Sequence, residues 1–142
     1  MENINALNEI SKGASMGVDA ISYIIDKVDD EKFKKLLSNQ KSFYEEIKCD
    51  IMDLFSRYDS EESPSDTTTL KKAMTWSSIN MKTLKDHSPS KIAELLLNGT
   101  NMGIIEGRKI LNNKDIDESV EKIIDRFVKE QERFVESLKD FL

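Results

Sequence analysis

The stretch Gly99-Thr100-Asn101-Met102-Gly103 indicates how the chain is divided. An earlier stretch, Gly13-Ala14-Ser15-Met16-Gly17, has the same pattern G-x-x-M-G. Each stretch lies at the same relative place in a long segment whose apolar residues recur with helical spacing. Placing the first stretch on the second also puts Ile10 on Leu96. The match predicts that two related helical hairpins make up most of the chain.

The repeat extends into the helix that follows each glycine stretch. When one extra residue is allowed in the link between the two helices, Phe33 aligns with Val120 and Ile47 with Phe134. Any two amphipathic helices share a period, so such a match can also arise by chance. The shared glycines and methionine favour duplication.

The first hairpin is predicted over residues 3–58, and the acids near residue 30 suit the start of its second helix. A very short link between the two helices requires them to be antiparallel neighbours. Their apolar seams, in chain order, are Leu7, Ile10, Ala14, Gly17, Ile21, Ile24 and Val28, then Phe33, Leu37, Gln40, Tyr44, Ile47, Ile51, Leu54 and Tyr58.

The second hairpin is predicted over residues 89–141. Ser88 is a candidate N-cap with Pro89 at the first helical position, where proline fits. Asp115 and Glu118 predict a capping box for the last helix, starting near residue 116. The two seams are Ile92, Leu96, Gly99, Gly103, Glu106 and Ile110, then Ile116, Val120, Ile123, Phe127, Glu130, Phe134, Leu138 and Phe141.

Residues 59–87 connect the hairpins, with a polar loop over 59–66 and a third, less regular helix over about 67–86. A connection of this length can carry the chain back along a bundle. The sequence therefore predicts one all-α domain over residues 1–142, a four-helix bundle of two antiparallel hairpins with an extra crossover helix. A plain up-and-down array of five helices is the alternative.

Composition excludes several classes of protein. Of the 142 residues 34% are charged, and the 21 Lys and Arg are interleaved with 27 Asp and Glu, giving a net charge of -6. Without a basic face, nucleic-acid binding is not expected. The N-terminus lacks the pattern of a signal peptide, and no apolar run is long enough to span a membrane. We therefore expect a cytoplasmic protein.

The five glycines need an explanation, because each costs about 1 kcal/mol in a helix interior relative to alanine. The glycines of one helix are spaced four residues apart, so they share a face. Close helix packing within one bundle is one interpretation, and a glycine-lined dimer face or ligand slot is the other. The residues concerned are Gly13, Gly17, Gly99, Gly103 and Gly107.

The order of elements resembles the ferritin-like superfamily, in which two helical hairpins are joined by a crossover. More narrowly, three stretches resemble a family of uncharacterised bacterial, clostridial-type proteins classed as ferritin-like domains of unknown function. These stretches are Met16-Gly17-Val18-Asp19-Ala20-Ile21, Ser88-Pro89-Ser90-Lys91-Ile92-Ala93-Glu94 and Met102-Gly103-Ile104-Ile105. The resemblance implies the fold and brings no established activity.

A ferritin-like fold raises the question of a di-metal site, which needs a Glu from each of two helices and a Glu-x-x-His from each of the others. The only histidine, His87, lies at a predicted helix end instead. In the repeat, Glu106 falls on Ala20 and Glu130 on Phe43, so the carboxylates are not paired by the duplication.

Gln40, Glu106 and Glu130 nevertheless interrupt otherwise apolar seams. They indicate a structural polar layer, flanking positions that reach solvent, or a degenerate metal or ligand pocket. Cys49 has no second cysteine to pair with and no basic cluster to activate it.

With no catalytic motif and no cofactor fingerprint, the sequence predicts a non-catalytic protein-interaction or structural module. A homodimer or an unidentified protein partner is expected. The alternative is a metal-binding ferritin-like protein with a degenerate carboxylate site.

Overall fold

The computed structural model describes residues 2–58, 80–113 and 115–142, whose regular structure is entirely helical. Four long helices account for most of it: α1 (Glu2–Ile24), α2 (Glu31–Phe55), α3 (Pro89–Asn113) and α4 (Glu118–Lys139). A short 3-10 turn, Ile25–Lys27, extends α1. The prediction of an all-α protein is confirmed for these residues.

The predicted third helix falls largely on residues 59–79, outside the described ranges. Residues 80–83 are helical, but residues 84–88 are not. The predicted end of this helix near residue 86 is therefore about one turn too late. Ser88-Pro89 starts the next helix, and the residue before a proline is disfavoured in helical conformation.

Two helix starts are set by the residues that the sequence indicates. Asp30 caps α2, its Oδ1 accepting a hydrogen bond from the Phe33 amide at 3.0 Å. Before α3, the Ser88 hydroxyl accepts from the Lys91 amide at 3.5 Å, and Pro89 is the first helical residue. Each cap satisfies a donor that the first turn of a helix cannot pair internally.

The predicted capping box at the start of α4 is wrong. The helix begins at Glu118 with Asp117 as its N-cap, so Asp115 lies outside it. The Asp117 carboxylate makes no capping bond. It accepts instead from the Tyr58 hydroxyl at 2.7 Å, because the end of α2 lies beside it. A tertiary contact has taken the place of the local one.

Contacts at the helix ends show how the four helices run. Tyr58 and Asn3 both hydrogen-bond to Asp117, so the end of α2 and the starts of α1 and α4 meet. At the opposite end the rings of Phe33 and Phe141 stack with centroids 4.6 Å apart. Helix α2 is therefore antiparallel to α4.

Within this arrangement α1 packs along α2 and α3 packs along α4, as the short links require. Helix α2 also contacts α4, and α1 contacts α3. The Tyr23 hydroxyl, near the end of α1, donates to the Lys82 carbonyl at 3.3 Å. Lys82 therefore lies at the opposite end of the four helices from Tyr58.

A single apolar core fills the space between the helices. Every predicted seam residue of α1 and α2 is buried except Tyr58, which is half-buried. In α4 four predicted seam residues are buried, but Ile124 and Gln131 are buried in place of the predicted Ile123 and Glu130; the four are Val120, Phe127, Phe134 and Leu138. None of the described helices is long and apolar enough to cross a membrane.

Candidate functional site

Four polar side chains are buried at the centre of the core. We call them the polar cluster: Gln40 and Tyr44 from α2, Thr100 from α3 and Gln131 from α4. Each is at most 2% exposed. Buried polar groups are tolerated only when they are hydrogen-bonded, so their partners decide what the cluster does.

The members of the polar cluster bond mainly to one another. Gln40 Nε2 donates to the Tyr44 hydroxyl at 2.8 Å and to Thr100 Oγ1 at 3.1 Å. The Tyr44 hydroxyl donates to Gln131 Oε1 at 2.6 Å. Thr100 Oγ1 donates to the Leu96 carbonyl at 2.7 Å, and Gln131 Nε2 reaches the Thr100 carbonyl at 3.5 Å. The cluster thus ties α2, α3 and α4 together.

One backbone group fixes the direction of every bond in the cluster. The Leu96 carbonyl can only accept, so the single hydroxyl proton of Thr100 is used there. The contact between Thr100 and Gln40 then requires the Gln40 amide nitrogen as the donor. The same nitrogen donates to Tyr44, whose own proton is left for Gln131. The orientation of the Gln40 amide follows from this chain of donors.

Burial raises the pKa of the Tyr44 hydroxyl above its ordinary value of 10, although the bonds from its neighbours partly oppose the shift. The phenol therefore keeps its proton at neutral pH and remains the donor to Gln131. A neutral hydroxyl of this kind orders its surroundings and has no driving force to act as a base.

This shift predicts how stability depends on alkaline pH. In the unfolded chain Tyr44 ionises near pH 10, while in the folded protein it holds its proton to higher pH. The stability that it contributes is present below pH 10 and is lost as the pH rises further. Urea denaturation between about pH 8 and pH 11 should show a shallower alkaline decline for Tyr44→Phe. Identical profiles for the two proteins would contradict this expectation.

The glycines of the predicted packing face make room for the cluster. A Cβ placed on Gly17 would lie 2.5 Å from Tyr44 Cε2, and one on Gly103 would lie 2.7 Å from Gln131 Nε2. A Cβ on Gly107 would collide with Val128 Cγ2. These three glycines therefore serve helix packing within the chain. The other two are also buried, Gly13 in α1 and Gly99 in α3.

Two members of the cluster, Tyr44 and Gln131, occupy equivalent positions in the predicted repeat. With Phe33 placed on Val120, Tyr44 falls on Gln131, and Gly17 already falls on Gly103. The hydrogen bond from Tyr44 to Gln131 therefore joins two corresponding positions, and each side chain lies over the glycine of its own hairpin. The duplication itself stays a prediction, because Gln40 and Thr100 fall on Phe127 and Ala14, which are not members of the cluster.

The two carboxylates singled out in the sequence do not join Gln40. Glu106 forms an ion pair with Lys109 at 3.5 Å, and Glu130 forms one with Arg133 at 2.8 Å. Their side chains are 26% and 28% exposed. Of the alternatives offered by the sequence, flanking positions that reach solvent describe Glu106 and Glu130, whereas Gln40 is buried. The neighbouring residue Gln131 is the one that points inward.

The polar cluster does not suit the di-metal centre that the resemblance raises. Its donor groups are two amides and two hydroxyls, whereas such a centre needs carboxylates and imidazoles. No group of three or more His, Cys, Asp or Glu side chains that could hold a metal ion occurs within residues 2–58, 80–113 and 115–142. His87 and Cys49 are both exposed.

Sequence reasoning identified only one member of the cluster as chemically unusual. Gln40 is conspicuous because it interrupts an apolar seam, whereas Tyr44 looks like an ordinary core aromatic. Thr100 lies beside the seam residue Gly99, and Gln131 lies beside the predicted seam residue Glu130, so neither falls on a predicted seam. The signal that could have found Gln131 is its alignment with Tyr44 in the repeat.

Comparison with known proteins adds no relative: no family model matches the chain, and neither a curated protein nor a solved structure matches it significantly. The resemblance to ferritin-like domains stays a prediction.

Proposed function

We propose that the chain is a ferritin-like four-helix bundle with a crossover between its hairpins, acting in the cytoplasm as a non-catalytic interaction or structural module. The positions of Tyr58 and Lys82 at opposite ends of the helices support the crossover. The pairing of α1 with α2 and of α3 with α4 supports the two hairpins.

The chemistry of the polar cluster carries the proposal of a non-catalytic role. Metalloproteins of the ferritin-like class direct carboxylates and histidines into the bundle core. Here the centre of the core holds neutral amides and hydroxyls that bond to one another, and Tyr44 keeps its proton. The cluster offers neither an anionic ligand set nor a base.

We also propose that the protein forms a homodimer. Large apolar side chains exposed on helices include Ile105 on α3 and Met52 on α2, at 53% and 59% exposure. Helix α3 carries three of the five glycines, and the clashes at Gly103 and Gly107 show that its inner face is filled by the same chain. Its outer face, with Ile105, is therefore the one left for a second copy.

Two measurements test these proposals. Sedimentation equilibrium should show a dimer that Ile105→Arg dissociates and that the matched surface change Met52→Arg leaves intact. A monomer at every concentration would overturn the dimer. Elemental analysis of protein purified without chelator should find less than one metal ion per chain. Stoichiometric iron or manganese, lost in the Glu106→Ala and Glu130→Ala variants, would instead establish the metal-binding alternative.

A further inference from the structure

A small cavity adjoins the polar cluster on the side of α1. It lies between α1, α2 and α3, has a volume of about 20 Å³, and is bordered by the buried side chain of Met81. Most of its wall is apolar, with residues such as Ile21 and Leu96. Its polar lining comes from the cluster members Gln40, Tyr44 and Thr100.

One atom of the cluster has no hydrogen-bond partner among the described residues, and it belongs to a residue that lines this cavity. Gln40 Oε1 is buried and accepts from no donor, although both protons of the same amide are used. The amide cannot simply turn over to pair this oxygen, because the Leu96 carbonyl fixes its orientation through Thr100. A buried carbonyl oxygen without a donor is costly to keep.

We propose that the cavity binds a single internal water molecule that donates a hydrogen bond to Gln40 Oε1. A water needs roughly 10–15 Å³ of such space and two to four polar partners. The cavity meets the first condition. Tyr44 and Thr100 each retain an unused lone pair, and either can accept the second proton of the water.

The water completes the hydrogen bonding of the cluster. It supplies the one donor that the four side chains cannot provide among themselves. It also extends the cluster from α2, α3 and α4 towards α1, whose residues Gly17 and Ile21 line the cavity. The cluster is uncharged, so a neutral molecule such as water suits it.

A high-resolution crystal structure of the full chain tests the proposal directly. It should show a water oxygen about 2.5–3.0 Å from Gln40 Oε1. In Gln40→Met that density should disappear, because the acceptor is gone while the side-chain length is kept. The matched variant Asn39→Met, at the exposed neighbouring position, should retain it. An empty cavity in the wild-type crystal would overturn the proposal.

Water ¹⁷O magnetic relaxation dispersion gives an independent count of long-lived internal waters in solution. Wild-type protein should hold one more such water than Gln40→Met and the same number as Asn39→Met. Equal numbers in the wild type and Gln40→Met would overturn the proposal. If Gln40→Met does not fold, the wild-type crystal structure alone decides the question.

Discussion

Gly17→Ala should lower the free energy of unfolding by about 1–3 kcal/mol, although alanine is the better helix former by about 1 kcal/mol. The added Cβ would lie 2.5 Å and 2.7 Å from two ring carbons of Tyr44. That ring is not free to retreat, because its hydroxyl is held by Gln40 and Gln131. Either α1 must move away from α2 or the cluster must break.

Urea denaturation followed by circular dichroism measures this effect. Asp19→Ala is the control, since it also places an alanine in α1 but on the exposed face, where nothing meets the core. It should leave the midpoint unchanged or raise it slightly. The double variant Gly17→Ala/Tyr44→Leu has no ring for the new Cβ to meet. Its loss in free energy of unfolding should therefore be smaller than the sum of the losses of the two single variants. Strict additivity would show that the Tyr44 ring is not the obstacle.

Tyr44→Phe should lower the free energy of unfolding by about 2–4 kcal/mol, because it removes one hydroxyl and leaves two buried groups without partners. Gln131 Oε1 loses the donor that it has among the described residues, and a proton of Gln40 Nε2 loses its acceptor. The apolar part of the ring is unchanged, so the packing beneath Gly17 stays as it is.

Tyr58→Phe is the control for this prediction, and it should lower the free energy of unfolding by less than about 1 kcal/mol. Its hydroxyl also bonds two partners, Asp117 and Ser119, but the bonds are exposed at the end of the helices. Water can replace them there. If Tyr44→Phe and Tyr58→Phe lowered the free energy of unfolding equally, burial would not make the hydrogen bonds of the cluster more stabilising than exposed ones.

The first hairpin could be predicted from the sequence almost residue by residue. Its helices have a single apolar stripe, so only one face can be buried. In the last helix Ile123 and Ile124 are both apolar, and Glu130 and Gln131 are both polar. The predicted seam steps three residues from Val120 and Phe127 to reach Ile123 and Glu130, whereas the buried residues Ile124 and Gln131 lie four residues on.

The polar cluster was harder to predict because its hydrogen bonds join residues far apart in the chain. Gln40 and Thr100 belong to different hairpins, and nothing local requires them to meet. The start of α4 shows the same limit, since the Asp117 carboxylate accepts a hydrogen bond from Tyr58 and makes no capping bond to its own helix. Local rules locate helices, whereas the pairing of side chains depends on how the helices are arranged.

The bond between Tyr44 and Gln131 makes the two hairpins non-interchangeable. Because the two residues occupy corresponding positions, a pair of identical hairpins would place the same side chain on both sides of this contact. Two facing tyrosines would be bulkier than the pair observed here, and two facing glutamines would leave the space above Gly17 underfilled. A single chain with two different halves can set a large donor against a smaller acceptor. In the predicted repeat, this contact is therefore one of the places where the two hairpins must differ for the core to pack around a hydrogen bond.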